Sequence, residues 1–134
     1  GQVTAAALVA ENRVLCHPAS AGSINTSGNK EDFVSMGMTA ALKLKQVVEN
    51  TRTVLAIEAL TAARALDFLR PLKSSPHIES VRQRLGEVYP GAPGDRPLSG
   101  EIGQVAGWIA GGVLAPTLFT SDTQPAIQIS QVTM

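Results

Sequence analysis

The chain has 134 residues, 44% of them hydrophobic and 16% charged, with eleven basic and eleven acidic side chains. That length suits one domain, near the size at which a chain can bury a respectable core. The zero net charge argues against a nucleic-acid partner, and no apolar run approaches the roughly 18 residues of a membrane span.

Eighteen alanines and only five aromatic residues, Phe33, Phe68, Tyr89, Trp108 and Phe119, favour closely packed helices. Val3 to Leu15 is built from good helix formers and has no N-cap ahead of it, so the expectation is a helix whose start is cut. Pro18 disfavours helical geometry at His17 and should end that helix near Cys16. Ala19 to Lys30 reads as a patternless loop, long for a compact domain and therefore of functional interest.

Asn29 looks like the next N-cap, with Glu31 and Asp32 complementing the dipole of a first turn. From Glu31 to Leu69 there is no proline and Gly37 is the only glycine. The expectation is one helix of nearly forty residues, roughly 57 Å long, with Gly37 as the point where it could kink. A compact domain of this size has a radius of gyration of about 14 Å, so such a helix would project beyond it. Val54 to Leu69 carries only Glu58, Arg64 and Asp67 as charges, which suggests burial by other chains or other parts of a longer one.

Arg70-Pro71 stops this helix, and Ser75-Pro76 starts another with Ile78, Val81, Leu85 and Val88 as its apolar stripe. Pro90 to Asp95 reads as a linker. Ser99 should cap a last helix with Ile102, Val105, Trp108 and Ile109 on its apolar face, ended by Gly111-Gly112. Residues 1–115 form the expected helical region, and 116–134 a tail in which Ala126 to Val132 alternates weakly, as a strand or as a disordered end. The fold class read from these elements is all-α: a long central helix flanked by three shorter ones, within a multi-helix oligomeric bundle.

No catalytic constellation stands out by itself. The single Cys16 allows no internal disulfide, and two distant histidines without metal-ligand spacing predict no metal site. Cys16-His17 reads as a helix end, His77 as a solvated residue and Tyr89 as helix-end packing. No leader peptide is apparent, which points to a cytoplasmic chain. The richest spot is Thr26 to Gly37, with amide, ammonium and carboxylate groups beside a helix N-terminus. It reads either as a capping cluster or as a carboxylate facing a buried site.

Four segments add a resemblance: Gln2 to Ser20 with its HPAS, Thr26 to Gly37 (TSGNKEDFVSMG), Val47 to Leu60 with its ENTR, and Leu66 to Arg82. Together they resemble histidine ammonia-lyase and the wider class of aromatic amino acid ammonia-lyases and aminomutases. The match runs from Gln2 to about Leu114. Family chains are several times longer, so the resemblance implies a C-terminal portion.

It also implies an activity: elimination of ammonia from an aromatic amino acid to give an α,β-unsaturated acid. The electrophile of the family is methylidene-imidazolone, formed from an internal Ala-Ser-Gly, and the enzymes are homotetramers with composite sites. Glu31 falls on the glutamate of the family's turn and looks like a substrate-facing group that takes or holds the amine proton. Asn29 matches the turn's asparagine. Lys30 stands where the family usually has glutamine; it could neutralise Glu31 or bind a substrate carboxylate. Phe33 stands where histidine-specific members usually have histidine, which puts histidine as substrate in doubt. Asp32 is expected to be a structural cap.

No Ala-Ser-Gly occurs in these 134 residues; the nearest strings are Ala19-Ser20-Ala21 and Ala21-Gly22-Ser23. The chain alone is therefore expected to be inactive, with the electrophile formed in a missing upstream part. The alternatives are a non-catalytic helical oligomerisation module of the same ancestry, or part of an aminomutase.

Overall fold

The computed structural model describes residues 1–89 and 95–114. Among these residues four helices follow one another: α1 (Gln2–Leu15), α2 (Gly37–Phe68), α3 (Pro76–Val88) and α4 (Ser99–Ala110). Short 3-10 turns at Ala19–Gly22 and Ser27–Asn29 lie between α1 and α2. The long α2 is the common axis, and α1, α3 and α4 all pack on it. The expected all-α arrangement of one long helix and three shorter ones is therefore the observed one. Most of the linker 90–95, the tail 116–134 and its suggested strand at Ala126 to Val132 lie outside the described residues.

α1 ends where proline chemistry places its end. Cys16 is the C-cap, its N–H reaching Asn12 O at 2.9 Å. The start of α2 departs from expectation by six residues. The helix begins at Gly37 and runs for 32 residues, about 48 Å at 1.5 Å per residue. The reason is local. Glu31 and Val34 are already committed to pairing with the preceding loop, and Met36 adopts a left-handed conformation with φ 54°. Helical bonding can begin only after that break, with Ala40 N donating to Met36 O at 3.0 Å. Asn29 therefore caps nothing, Asp32 lies outside the helix, and the first turn of α2 holds no acidic residue. Gly37 marks the start of the helix instead of a kink within it.

Ser75 caps α3 as expected, its hydroxyl accepting from Ile78 N at 3.5 Å with Pro76 at the first helical position. The cap position of α4 is Leu98, and Ser99 is its first residue without a side-chain capping bond. Gly111 and Gly112 end α4 in a Schellman arrangement. Val113 N reaches Trp108 O at 2.9 Å, Gly112 N reaches Ile109 O at 3.2 Å, and Gly112 has φ 67°.

The apolar core sits where α2, α3 and α4 meet. Ala56, Leu60 and Ala63 of α2 face Leu85 and Val88 of α3 and the fully buried Val105 of α4. Small residues on α2 let the shorter helices approach closely, and Tyr89, Ile102, Trp108 and Ile109 pack around the edge. Ile78, expected in the α3 stripe, is exposed, because it lies in the first turn beyond the reach of α4. Guanidinium groups cover the outer aromatic rings: Arg84 lies 5.9 Å from the Trp108 ring centre and Arg96 lies 5.2 Å from that of Tyr89.

The second half of α2 is apolar on more than its core side. Leu55, Phe68 and Leu69 are exposed, as are Leu44, Leu42 and Met38 further up the same helix. None of the described helices is long and apolar enough to cross a membrane.

Candidate active-site loop

The candidate residues sit on the connection between α1 and α2. Two limbs form it. The first descends from α1 through His17 and Pro18, and Lys43 of α2 donates its ammonium to the His17 carbonyl. The second runs from Glu31 directly into α2.

Two sets of bonds hold the limbs together. Thr26 and Glu31 exchange backbone hydrogen bonds, Thr26 N to Glu31 O at 2.9 Å and Glu31 N to Thr26 O at 3.4 Å. Lower down, the Ser23 hydroxyl accepts from Val34 N at 2.7 Å and donates to Val34 O at 3.2 Å. Three successive residues of the turn between them are left-handed: Ser27, Gly28 and Asn29 have φ of 53°, 63° and 66°, and Lys30 returns to φ −81°. Asparagine and glycine tolerate this region, whereas serine is there at some steric cost. The sequence cue for this closed loop is the run Thr-Ser-Gly-Asn, a cluster of turn-forming residues.

Glu31 is thus fixed at the backbone and free at the carboxylate. Its side chain is exposed, and among the described residues its one side-chain hydrogen bond is from the Thr26 hydroxyl, at 3.4 Å. Asn29, Lys30 and Asp32 are exposed beside it, and Phe33 is 65% exposed. The structure brings Asn29, Lys30 and Glu31 onto one tight turn. It does not enclose them. One depression in the surface is lined by Leu15, Cys16, His17, Pro18, Lys43 and Val47. Another is lined by Ile57, Leu60, Arg64, Tyr89 and Ile102. The turn contributes to neither. A carboxylate facing a buried site, one of the two readings of the sequence, requires walls that the described residues do not supply.

The remaining motif segments perform structural work. ENTR places Asn50 between α1 and α2, where it is 4% exposed. The segment from Leu66 to Arg82 forms an ion-pair chain that clips α3 to the end of α2. Arg82 binds Asp67 at 2.7 Å and Glu79 at 3.4 Å, and Arg70 binds Glu79 at 2.7 Å. Glu79 also accepts from Ser74 N at 2.9 Å. The Arg70 hydrogen bond, followed by the Ser74 amide, holds the Glu79 carboxyl down at about 2. Glu101 in the first turn of α4 is lowered as well, chiefly by its own backbone N–H and then by Arg96 at 2.8 Å. Cys16 and His77 are exposed, and His17 stands just past the α1 terminus with its N–H on Val14 O at 3.2 Å.

A family model described as aromatic amino acid lyase matches residues 1–87. The histidine ammonia-lyase of Koribacter versatilis is 58% identical over 114 residues, which is 85% of this chain and 22% of that protein. That of Vibrio cholerae is 54% identical over 101 residues, covering 75% and 20%. Among solved structures, histidine ammonia-lyase from Trypanosoma cruzi superposes with a TM-score of 0.81 at 44% identity, over 87% of this chain and 23% of that one. Tyrosine aminomutase from Streptomyces globisporus gives 0.82 at 33% identity, over 92% and 24%. The chain spans about a fifth of the length of the curated relatives it matches.

Proposed function

The chain belongs to the aromatic amino acid lyase family, and from that premise we propose that it forms part of an ammonia-lyase acting on an aromatic L-amino acid, with histidine the leading substrate. The product would be ammonia and an α,β-unsaturated acid. This segment would supply helical core and one substrate-facing carboxylate, that of Glu31.

The observation that carries the reading is the contrast at Glu31 between a pinned backbone and an uncommitted carboxylate. Its amide and carbonyl are both paired with Thr26, while its side chain has one weak contact and stands on the surface. A carboxylate with a structural task would be spent on a cap or an ion pair, as Glu79 and Glu101 are. In the proposed role Glu31 holds the substrate ammonium and takes its proton, since the amine must be neutral to react. Lys30, one residue away, would meet the substrate carboxylate, and Asn29 would wall the site.

The family's methylidene-imidazolone requires an internal Ala-Ser-Gly, which these residues lack. The group cannot form from these residues. The exposed apolar residues of α2, Leu44, Leu55 and Phe68 among them, support self-association through that helix, as a tetramer in the whole enzyme. The same reading takes residues 1–115 as one helical unit and places the protein in the cytoplasm.

The test follows ammonia and unsaturated acid from histidine, tyrosine and phenylalanine, using this chain alone and the longer protein that contains it. The expected outcome is no turnover by the chain alone, and turnover by the longer protein that falls at least a hundredfold in Glu31→Gln. Unchanged turnover in Glu31→Gln overturns the role of Glu31. Absence of turnover in the longer protein leaves the non-catalytic oligomerisation module. An aminomutase is the second reading, favoured by the superposition on tyrosine aminomutase over 92% of the chain. It is recognised by a β-amino acid among the products.

A further inference from the structure

The two limbs of the Glu31 loop hang from different helices, and this makes their closure depend on how α1 sits along α2. The first limb follows α1. The second is continuous with α2. The Thr26–Glu31 bridge and the Ser23–Val34 pair join the limbs. A shift of α1 along its own axis by even part of a turn would pull these partners apart.

Apolar packing gives little to hold that register. α1 has no buried residue at all, and the side chains it turns toward α2 include Ala5, Leu8 and Leu15, all only half-buried. An alanine-rich contact of this kind has several nearly equivalent positions along the axis. A polar network does not. Asn50 of α2 is the one buried polar side chain among the described residues, and its carboxamide is used on both ends. Its Nδ2 donates to Glu11 Oε2 and to Asn12 Oδ1 of α1, each at 2.9 Å. Its Oδ1 accepts from Gln46 Nε2 at 2.9 Å, and Asn12 Nδ2 reaches Thr51 Oγ1 at 3.5 Å. Sliding α1 would strand buried donors without acceptors, a penalty that a slipped apolar contact does not meet.

We propose that Asn50 sets the register of α1 on α2 and thereby acts as the positioning residue for the Glu31 loop. Asn50 touches no loop residue itself; it acts through α1. The proposal concerns loop geometry and stands whether or not Glu31 meets a substrate. Its bearing on catalysis rests on the function proposed above.

The test is hydrogen exchange on the chain carrying Asn50→Leu, which keeps size and removes the network. The expected result is that amides of residues 2–15 and of the loop at 23–34 exchange at least tenfold faster, while those of α3 and of α4 do not change. Asn12→Ala, at a half-exposed position that cannot prevent folding, should give the same pattern more weakly. Glu11→Gln, which keeps an acceptor, should leave it unchanged. Spin labels on Cys16 and on Gln83→Cys read the register directly, and Asn50→Leu should broaden or shift their distance. Loop protection that is unaltered in Asn50→Leu overturns the proposal, since the remaining α1–α2 contacts, the Lys43 bond to the His17 carbonyl among them, would then set the register. A uniform loss of protection across α3 and α4 also overturns it, because Asn50 would then serve only general stability.

Discussion

The two halves of α2 are held by different chemistry. Toward its C-terminus, Ala56, Leu60 and Ala63 meet Leu85, Val88 and Val105 in a continuous apolar core. Toward its N-terminus the partner is α1, which buries no residue completely, and the central contact is the Asn50 carboxamide. Apolar burial is non-directional and scales with area, so it gives stability and tolerates small displacements. A buried amide network contributes little net stability but accepts only one alignment. The half that needs strength has the first, and the half that carries the loop has the second.

That division is broken most forcefully in the core. Leu85→Ala removes a buried side chain at the junction of three helices and should cost about 3 kcal/mol, read as a lower urea midpoint. A cost below about 1 kcal/mol would mean that the three-helix junction is not the seat of stability. A matched pair of glycines sharpens the point. Gly28 and Gly112 have φ of 63° and 67°, and a Cβ at either would meet nothing within 4 Å. The left-handed penalty for alanine is therefore the same at both, about 1 kcal/mol. Gly112→Ala should lower the global midpoint by that amount, because Gly112 ends a core helix. Gly28→Ala should leave the midpoint nearly unchanged and raise exchange only in the loop. Equal effects on the midpoint would show that loop and core unfold as one unit.

The sequence displays the core half more plainly than the loop half, for a physical reason. Apolar residues at helical spacing, Ser75-Pro76 at a helix start and Gly111-Gly112 at a helix end are local signals, and apart from the exposed Ile78 each is where the spacing puts it. The start of α2 is a contest between local signals and a closure at longer range. Asn29, Glu31 and Asp32 have the composition of a helix first turn, but the Thr26–Glu31 bridge and the Ser23–Val34 pair claim the backbones of Glu31 and Val34 first. Nothing at the level of single residues weighs those bonds against a capping box. Asn50 was visible as part of a motif, yet its burial depends on α1 lying across it, 38 residues earlier in the chain. The candidate turn itself was legible as a cluster, while its openness to solvent was not.

Acid should weaken the core half. Glu79 has its carboxyl held at about 2 by Arg70 and the Ser74 amide, against an ordinary value of 4.5. A depressed carboxyl contributes stability that is complete above its unfolded value and is lost as pH falls toward its folded one. The clip between α2 and α3 should therefore weaken from pH about 4.5 down to about 2, with Glu101 adding a loss of the same sign in α4. Glu79→Gln should flatten the stability profile across that window and leave neutral-pH exchange in the Glu31 loop unaltered. An unchanged profile would mean that the pairs at Arg70 and Arg82 persist in the unfolded chain or add nothing to the fold.

The smallest effect on stability is expected at the residue with the largest proposed effect on chemistry. Glu31→Gln leaves the backbone bridge to Thr26 in place and keeps an oxygen for the Thr26 hydroxyl, so its unfolding free energy should stay within about 0.5 kcal/mol of the parent's. Phe33→Ser, at another exposed position, should behave alike. A loss above about 1 kcal/mol in Glu31→Gln would show the carboxylate to be structurally committed. The carboxylate would then help to hold the turn closed through Thr26, and a fall in turnover could no longer be assigned to contact with substrate. Near-neutral stability, by contrast, leaves the carboxylate without a structural task. Its backbone would then be held by two hydrogen bonds to Thr26 in order to present a charge outward.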